Sequence, residues 1–417
     1  MPSAERCPSP SASNHIERRS SAAVWLSACL LGGMTVWISV AEQPATRIHG
    51  RTLEDWRELM GRLDLQDPAS RDAVPGLIAV MESEAVPWFT RRQAALTLGR
   101  LGPHATEAVP VLIKLLDEDE GPAANSPRLW AIKALALFGP AARDAVPPLA
   151  KILDDSAAES VVRLSAIEAL WRIGPAHPQT IPLLLRRVQS PVSTETEREL
   201  QLAAVEALGA IGSPANAAVP ALVRLLDHPD EHLRREAVTA LGRMHTAAEI
   251  TVEPLLNSLA SDESPVVRDA AAAAVQQLPP SVAGEAVASL LSAEDPELRE
   301  RSAQILGAWG KAARAWTEHL VPLWDDPSPT VRLAALQASW KMTGSAQGTA
   351  LRTARLLTAE DRHVRRAALT LLEQMGQQAA EARPLLQALQ NHARPDVRTA
   401  ARKALQTLPS AEPSPDH

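Results

Sequence analysis

The sequence predicts an all-α protein: an alpha-alpha superhelix of about ten stacked helix pairs, with one N-terminal transmembrane helix ahead of it. Three observations carry this expectation. The stretches DAVPGL from Asp72, EAVPVL from Glu107, DAVPPL from Asp144 and AAVPAL from Ala217 set Pro75, Pro110, Pro147 and Pro220 at steps of 35, 37 and 73 residues. A motif returning at such intervals marks a repeat architecture. A sharper signature, Val/Leu-Arg-x-x-Ala-x-x-x-Leu, keeps intervals of 31 to 34 residues from Gln201 to Arg398. The composition agrees: 46% of the 417 residues are hydrophobic but only 3% aromatic, with no Tyr and two Phe. The apolar mass is Ala, Leu and Val. The first two are strong helix formers, and a chain this long exceeds one ordinary compact core.

The elements follow in chain order. Residues 1–20 are rich in Ser and Pro, and are expected to form a short disordered tail. SAAVWLSACLLGGMTVWISVA, residues 21–41, carries no charge. As a helix it spans roughly 31 Å, the thickness of a bilayer core. Trp25 and Trp37 stand near its ends and Arg18 and Arg19 just before it, so it reads as a signal anchor with the rest of the chain extracytoplasmic. Two alternatives stay open: cleavage as a signal peptide after Ser39-Val40-Ala41, and acylation of Cys29, because Leu26-Ser27-Ala28-Cys29 resembles a bacterial lipobox. Residues 42–50 read as a linker. Cys7 and Cys29 are the only cysteines, so disulfides play no part in the folded region.

RTLEDWRELMGRL, from Arg51, is an amphipathic helix with Leu53, Trp56, Met60 and Leu63 on one face. Thr52 and Asp55 have the spacing of a capping box. This helix is expected to seal the first end of the stack. The AVP motif then opens the first helix of each pair, because Pro fits a first helical turn whose N–H has no partner anyway. Leu two and five residues later, as in Leu112 and Leu115, gives that helix its inward stripe.

The signature forms the second helix. Taking its Arg as zero, the zero positions are Arg91, Arg128, Arg163, Arg234, Arg268, Arg299, Arg332, Arg365 and Arg398, with Gln201 filling the missing step. Position +3 is Ala in nine of ten units, and position +7 is Leu in eight. Together with the Val or Leu at −1 they make one helical stripe, with a small residue at its centre where a neighbour can approach closely. Gly at +11 in six units and Pro in two stops the helix. No unit can bury both of its stripes alone, so stacking must supply the core. After Leu408, residues 409–417 have nothing to bury and are expected to be disordered.

On these residues the chain resembles HEAT repeats, specifically the short bacterial kind related to phycobilisome-lyase repeats, over residues 51–408. The resemblance implies a solenoid whose second helices line the concave side. It also implies a structural ladder in which inter-helix Asp and second-helix Arg side chains lock adjacent units. Asp262 with Arg268 and Asp326 with Arg332 have the ladder spacing of six, and Asp227 with Arg234 is one longer. The units without a matching Asp, and the one with Gln201, are expected to have a weaker ladder. Two inter-helix loops read as enlarged, DEDEGPAANSP from Asp117 and QSPVSTETERE from Gln189.

The sequence contains no P-loop, dinucleotide-binding Gly motif or nucleophile elbow. HPDEH, His228 to His232, fits H-x-x-E-H, but Pro229 puts it in a loop, where the two His cannot share a helix face. The acidic DEDE run reads as a solvated loop. A net charge of −7 without a basic stripe argues against nucleic acid. No catalytic residue, cofactor, metal or small-molecule substrate is expected. The expected function is a non-catalytic scaffold, tethered to the membrane through residues 21–41, whose concave face holds a protein or peptide. Trp130, Trp171, Trp309 and Trp340 are its candidate anchors, because Trp is a common interface residue; core packing is the other reading of each. The alternatives are a lyase or chaperone-like factor for a tetrapyrrole-bearing protein, suggested by the repeat subtype, and an envelope spacer.

Overall fold

Helices start where the sequence supplies a cap or a proline. In the computed structural model the described residues are 47–64, 68–118 and 126–408. Arg47–Ile48 (β1) pairs antiparallel with Arg51–Thr52 (β2) and leads into α1, Leu53–Arg62. Thr52 and Asp55 form the reciprocal capping box that their spacing predicts. Trp56 and Met60 are buried, and the Trp56 indole donates to the Ile48 carbonyl at 2.9 Å. The Trp56 ring lies on α2, Val74–Glu82, where a Cβ on Gly76 would sit 2.1 Å from it.

From α2 onward the helices alternate as first and second members of a pair. The first helices are α2, α4 (Val109–Leu115), α6 (Val146–Asp154), α8 (Thr180–Gln189), α10 (Val219–Arg224), α12 (Ala248–Ser261), α14 (Pro280–Ser289), α16 (Thr317–Leu320), α18 (Ala350–Arg355) and α20 (Arg383–Leu389). The second helices are α3 (Trp88–Leu101), α5 (Pro127–Phe138), α7 (Ser160–Ile173), α9 (Glu195–Ile211), α11 (Glu231–Arg243), α13 (Pro265–Gln277), α15 (Pro296–Trp309), α17 (Pro329–Thr343), α19 (Arg362–Met375) and α21 (Pro395–Thr407). Pro75, Pro110, Pro147 and Pro220 all fall at the first or second helical position. Pro254 differs: α12 begins early, at Ala248, and so encloses its proline.

The connection between units is not an open loop. It is a 3-10 turn, as in Gly102–Ala108, Gly139–Ala145 and Gly376–Ala382, kinked at Ala105, Ala142 and Ala379, all fully buried. The chain enters the first two through Gly102 and Gly139, at φ 53° and 56° with ψ −123° and −138°. That is not the left-handed helical cap that a C-terminal Gly suggests. It is a region that a side chain cannot enter, so Gly is required there.

The stretch from Gln189 also differs from its reading as an enlarged loop. Only residues 190–194 connect α8 to α9. Thr194 and Glu197 form a second capping box, which draws ETERE into a helix of 17 residues. The other loop read as enlarged lies largely outside the described residues, as do the N-terminal 46 residues, with the apolar stretch 21–41 and Cys29, and the tail 409–417.

No helix among the described residues is long and apolar enough to cross a membrane. The single-pass, extracytoplasmic placement expected from the sequence is therefore withdrawn; the stretch 21–41 on which it rested is not among the described residues.

The core lies between units. Every +3 position, Ala or Ser302, is fully buried. On the side of the second helices a further small residue appears at +8. A Cβ on Gly99, Gly209, Gly242 or Gly307 would stand 2.7–3.0 Å from Ala134, Ala240, Ala274 or Ala338, which is position +6 of the next second helix. Backbone thus rests almost on backbone. Adding one methyl there forces a shift of the kind that costs about 1–3 kcal/mol. Gly242→Ala is expected to lower the urea midpoint although Ala is the better helix former. Gly61→Ala, on α1 with open space around it, should raise the midpoint by the usual ~1 kcal/mol propensity gain.

Candidate interaction surface

The ladder residues run along the edge where first helices turn into second helices. Their shared task is to satisfy carbonyls at that turn. Arg91, Arg128 and Arg163 donate through Nε to the carbonyls of Met81, Leu116 and Leu153 at 2.7, 2.8 and 3.2 Å. Gln201 does the same for Val188 at 2.7 Å with its single amide. From α11 onward the arrangement changes, and Nη1 reaches carbonyls six and five residues back: His228 and Pro229 for Arg234, Asp262 and Glu263 for Arg268, Ala293 and Glu294 for Arg299. Arg332, Arg365 and Arg398 repeat this on Asp326 and Pro327, Ala359 and Glu360, and His392 and Ala393.

In this second half the remaining guanidinium nitrogens cross to the following unit. Arg234 holds both carboxylate oxygens of Asp262, at 2.9 and 3.1 Å, and Arg299 holds those of Asp326 at 2.8 and 3.0 Å. Each Asp in turn offers its carbonyl to the Arg of its own unit, Arg268 or Arg332. Arg268 also reaches Glu297, and Arg365 reaches Asp396. Asp227 takes no part: it is exposed, and the position six before Arg234 is His228. Asp230 supplies the bridge there, accepting from Arg198 at 2.6 Å. The HPDEH loop is consumed by turn bonds, with His228 Nδ1 accepting from the Asp230 amide and Asp230 capping His232.

The side of the second helices is the closely packed side of the stack. Four of its junctions close on Gly-on-Ala contacts. The first helices are held apart, leaving clefts of about 560 Å³ between α10 and α12 and about 600 Å³ between α6 and α8. A wedge-shaped unit of this kind bends the stack toward its thin side. Positions +1, +5 and +9 of the second helices project from that side, and +9 is exposed in all ten units. On this inner face Arg172 pairs with Glu168, Arg235 with Glu236, and Arg301 with Asp269 and Glu297. Burial, with Glu236 nearby, raises the Glu206 carboxyl above its ordinary value.

The four tryptophans singled out in the sequence sit at junctions between units. Trp130 is 2% exposed and belongs to the core, so it offers nothing to a partner. Trp171 is half-buried with Arg172 over its ring, and the Trp309 indole donates to the Gln276 carbonyl at 2.9 Å. Trp340 is half-buried, and its indole N–H has no hydrogen-bond partner. Two features were not singled out in the sequence. Trp88 and Phe89, 44% and 48% exposed, form an edge-to-face pair at the start of α3, with Arg57 over the Phe89 ring. A groove of about 480 Å³ opens between α17 and α19, lined by Gln337, Lys341, His363, Arg366, Thr370 and Leu371, with Ala367 and Gln374 beside them. Trp340 takes position +8, where four units have Gly, and the +6 residue of the next second helix is Leu371 rather than Ala. The buried apolar side chains part here, one cluster running from Trp56 to Met342 and another from Leu336 to Leu408.

The ladder predicts two outcomes. Asp262 is 5% exposed, so Arg234→Ala strands a buried carboxylate and should cost about 3–5 kcal/mol. Arg332→Ala, whose bonds go to carbonyls at a more open turn, should cost less; urea midpoints compare the two. The second outcome concerns pH. Burial works to raise the Asp326 carboxyl, but the hydrogen bonds from Arg299 and the Ser328 amide outweigh it and hold it below its ordinary value. The hydrogen bond from Arg394 carries Asp396 down to about 2. Both groups titrate lower in the folded chain than in the unfolded one. Their contribution is complete above the unfolded carboxylate range and is lost as pH falls through the depressed values. Thermal stability should therefore drop as pH falls from about 5 toward about 2, with a shallower acid limb in Asp326→Asn.

The sequence matches the family model described as HEAT repeats over residues 123–197 and 192–276, and the one described as PBS lyase HEAT-like repeat over residues 90–118. No curated protein sequence matches the chain. Among solved structures it is similar in fold to Kap121p bound to Nup53p, with a TM-score of 0.55 at 13% identity over 85% of this chain and 43% of that one. It is also similar to the Kap95:Nup1 complex, at a TM-score of 0.52 and 14% identity over 85% of this chain and 54% of that one. The chain spans about half the length of these structures. The complex of CpcE and CpcF of phycocyanin lyase from Nostoc sp. PCC7120 is 25% identical over 55% of this chain and 95% of that one, but its TM-score of 0.32 is too low to carry an argument.

Proposed function

We propose, for a chain that belongs to the HEAT-repeat family, a non-catalytic scaffold that holds an extended protein segment along the inner face of its second helices. One observation carries this reading. The inner face presents exposed side chains at a fixed helical position, one set per unit, that the stack itself does not use. An extended partner can meet such a row unit by unit, each contact weak and the sum selective. Kap121p, bound to Nup53p, and the Kap95:Nup1 complex are partner-bound solenoids of similar fold, which supports the reading without naming a partner for this chain. The lyase or chaperone-like alternative predicts bilin or haem absorbance in the purified protein.

The test is capture of partners by the tagged full chain from a lysate of its source cells, read by mass spectrometry at near-physiological salt. Leu137, Ala210 and Arg243 are exposed +9 residues of α5, α9 and α11. The triple variant Leu137→Glu, Ala210→Glu, Arg243→Glu should reduce recovery of a stoichiometric partner by about tenfold or more, a loss of ~1.4 kcal/mol. Lys151→Glu with Glu253→Lys, exposed on the first-helix side, should leave it unchanged. A partner lost only from the outer variant, or a coloured preparation with no partner, would sink the proposal.

A further inference from the structure

We infer that the groove between α17 and α19 takes an acidic segment of the scaffold's protein partner, its carboxylates meeting Lys341, His363 and Arg366. The inference rests on the scaffold reading and adds the chemistry of the partner. Three cation-forming side chains line this one groove, and no Asp or Glu lines it. Among the described residues none of the three side chains has a hydrogen-bond or ion-pair partner, whereas Arg172, Arg235 and Arg301 on the same face are all neutralised. Arg92, Arg100, Lys133 and Arg243 are also without an ion pair among the described residues, but none of them lines this groove. The Gln337 and Gln374 amides add further N–H donors. Ala367 and Leu371 give the floor an apolar strip. A surface rich in donors and poor in acceptors suits a carboxylate-bearing chain.

The spacing selects a peptide over a single small anion. Elsewhere on this face, +8 of one second helix meets +6 of the next. By that register Lys341, at +9 of α17, stands level with +7 of α19, six residues from Arg366. Six helical residues rise roughly 9 Å, which leaves room for more than one carboxylate between the two cations. An extended peptide advances roughly 3.3 Å per residue, so carboxylates two or three positions apart can meet both cations. No aromatic side chain lines the groove to stack a base, which disfavours single-stranded nucleic acid.

The probe is a short fluorescein-labelled peptide of alternating Glu and Ala, titrated into the full chain by fluorescence anisotropy. Matched Gln/Ala and Lys/Ala peptides and an oligothymidylate serve as comparisons. The Glu peptide should bind more tightly than the Gln peptide, weaken as salt rises, and lose about tenfold in affinity in Lys341→Glu with Arg366→Glu, as two exposed ion pairs of up to ~1 kcal/mol each would give. Lys341→Gln with Arg366→Gln should give a smaller loss in the same direction, and circular dichroism should be unchanged in both, because both positions are exposed. Equal binding of the Glu and Gln peptides, or equal binding by wild type and both variants, would overturn the inference. Tighter binding of the oligothymidylate, lost in the same variants, would also overturn it. If a partner is captured but neither it nor the probe depends on Lys341 and Arg366, the groove inference fails and the scaffold stands. If the probe depends on the groove but no partner is captured, the scaffold reading is what fails.

Discussion

No helix pair in this chain can bury its own apolar surface, and everything else about the fold follows from that constraint. The first helix offers a Leu stripe and the second a Val/Leu, Ala, Leu stripe, both facing a neighbour. Burying a Leu side chain is worth about 1.5–3 kcal/mol, and here that gain comes almost entirely from contacts between units. The low aromatic content then makes physical sense. Small side chains let helix backbones approach, and the fully buried +3 row is Ala or Ser302 throughout. The polar edge solves the complementary problem. Each turn between helices would expose carbonyls, and one Arg or Gln201 per unit reaches back to satisfy them.

The two sides of the stack are closed by different means, and that difference links fold to function. On the inner side Gly meets Ala and the helices almost touch. On the outer side the 3-10 turns and short first helices hold the layers apart. The stack therefore curves, and its inner surface carries side chains that no neighbouring unit needs. Between α17 and α19, where no Gly meets Ala, the surface opens into a groove.

Much of this was legible in the sequence, because a repeat writes each structural requirement many times. The register of Arg91 through Arg398, the helix-opening prolines and the Thr52–Asp55 cap all follow from spacing alone. The ladder was legible only in part. Asp262 and Asp326 bridge units as the spacing suggests, but Asp227 lies one residue out of register and Asp230 takes its place. Thr194 and Glu197 signal a cap that turns an apparent loop into helix, and the longer count between units hid it. The Gly-on-Ala contacts could be read only once adjacent helices were in place, because +8 and +6 belong to different units. For the same reason spacing alone left Trp130, at +2 of its helix, open between core packing and a surface anchor, and the neighbouring helices cover it. The groove had a faint signal: Lys341 and Arg366 are uncompensated at projecting positions, and Trp340 stands at +8, where four units have Gly.

The central claim is that stability resides in the contacts between neighbouring units, and that these contacts are interrupted between α17 and α19. Hydrogen–deuterium exchange of the free full chain, resolved to single helices, tests it most directly. The account predicts that α9 to α15 share the highest protection, that protection falls toward both ends, and that α19 to α21 open together with a step at the α17–α19 junction. A single opening free energy common to all the helices, with no step there, would contradict it.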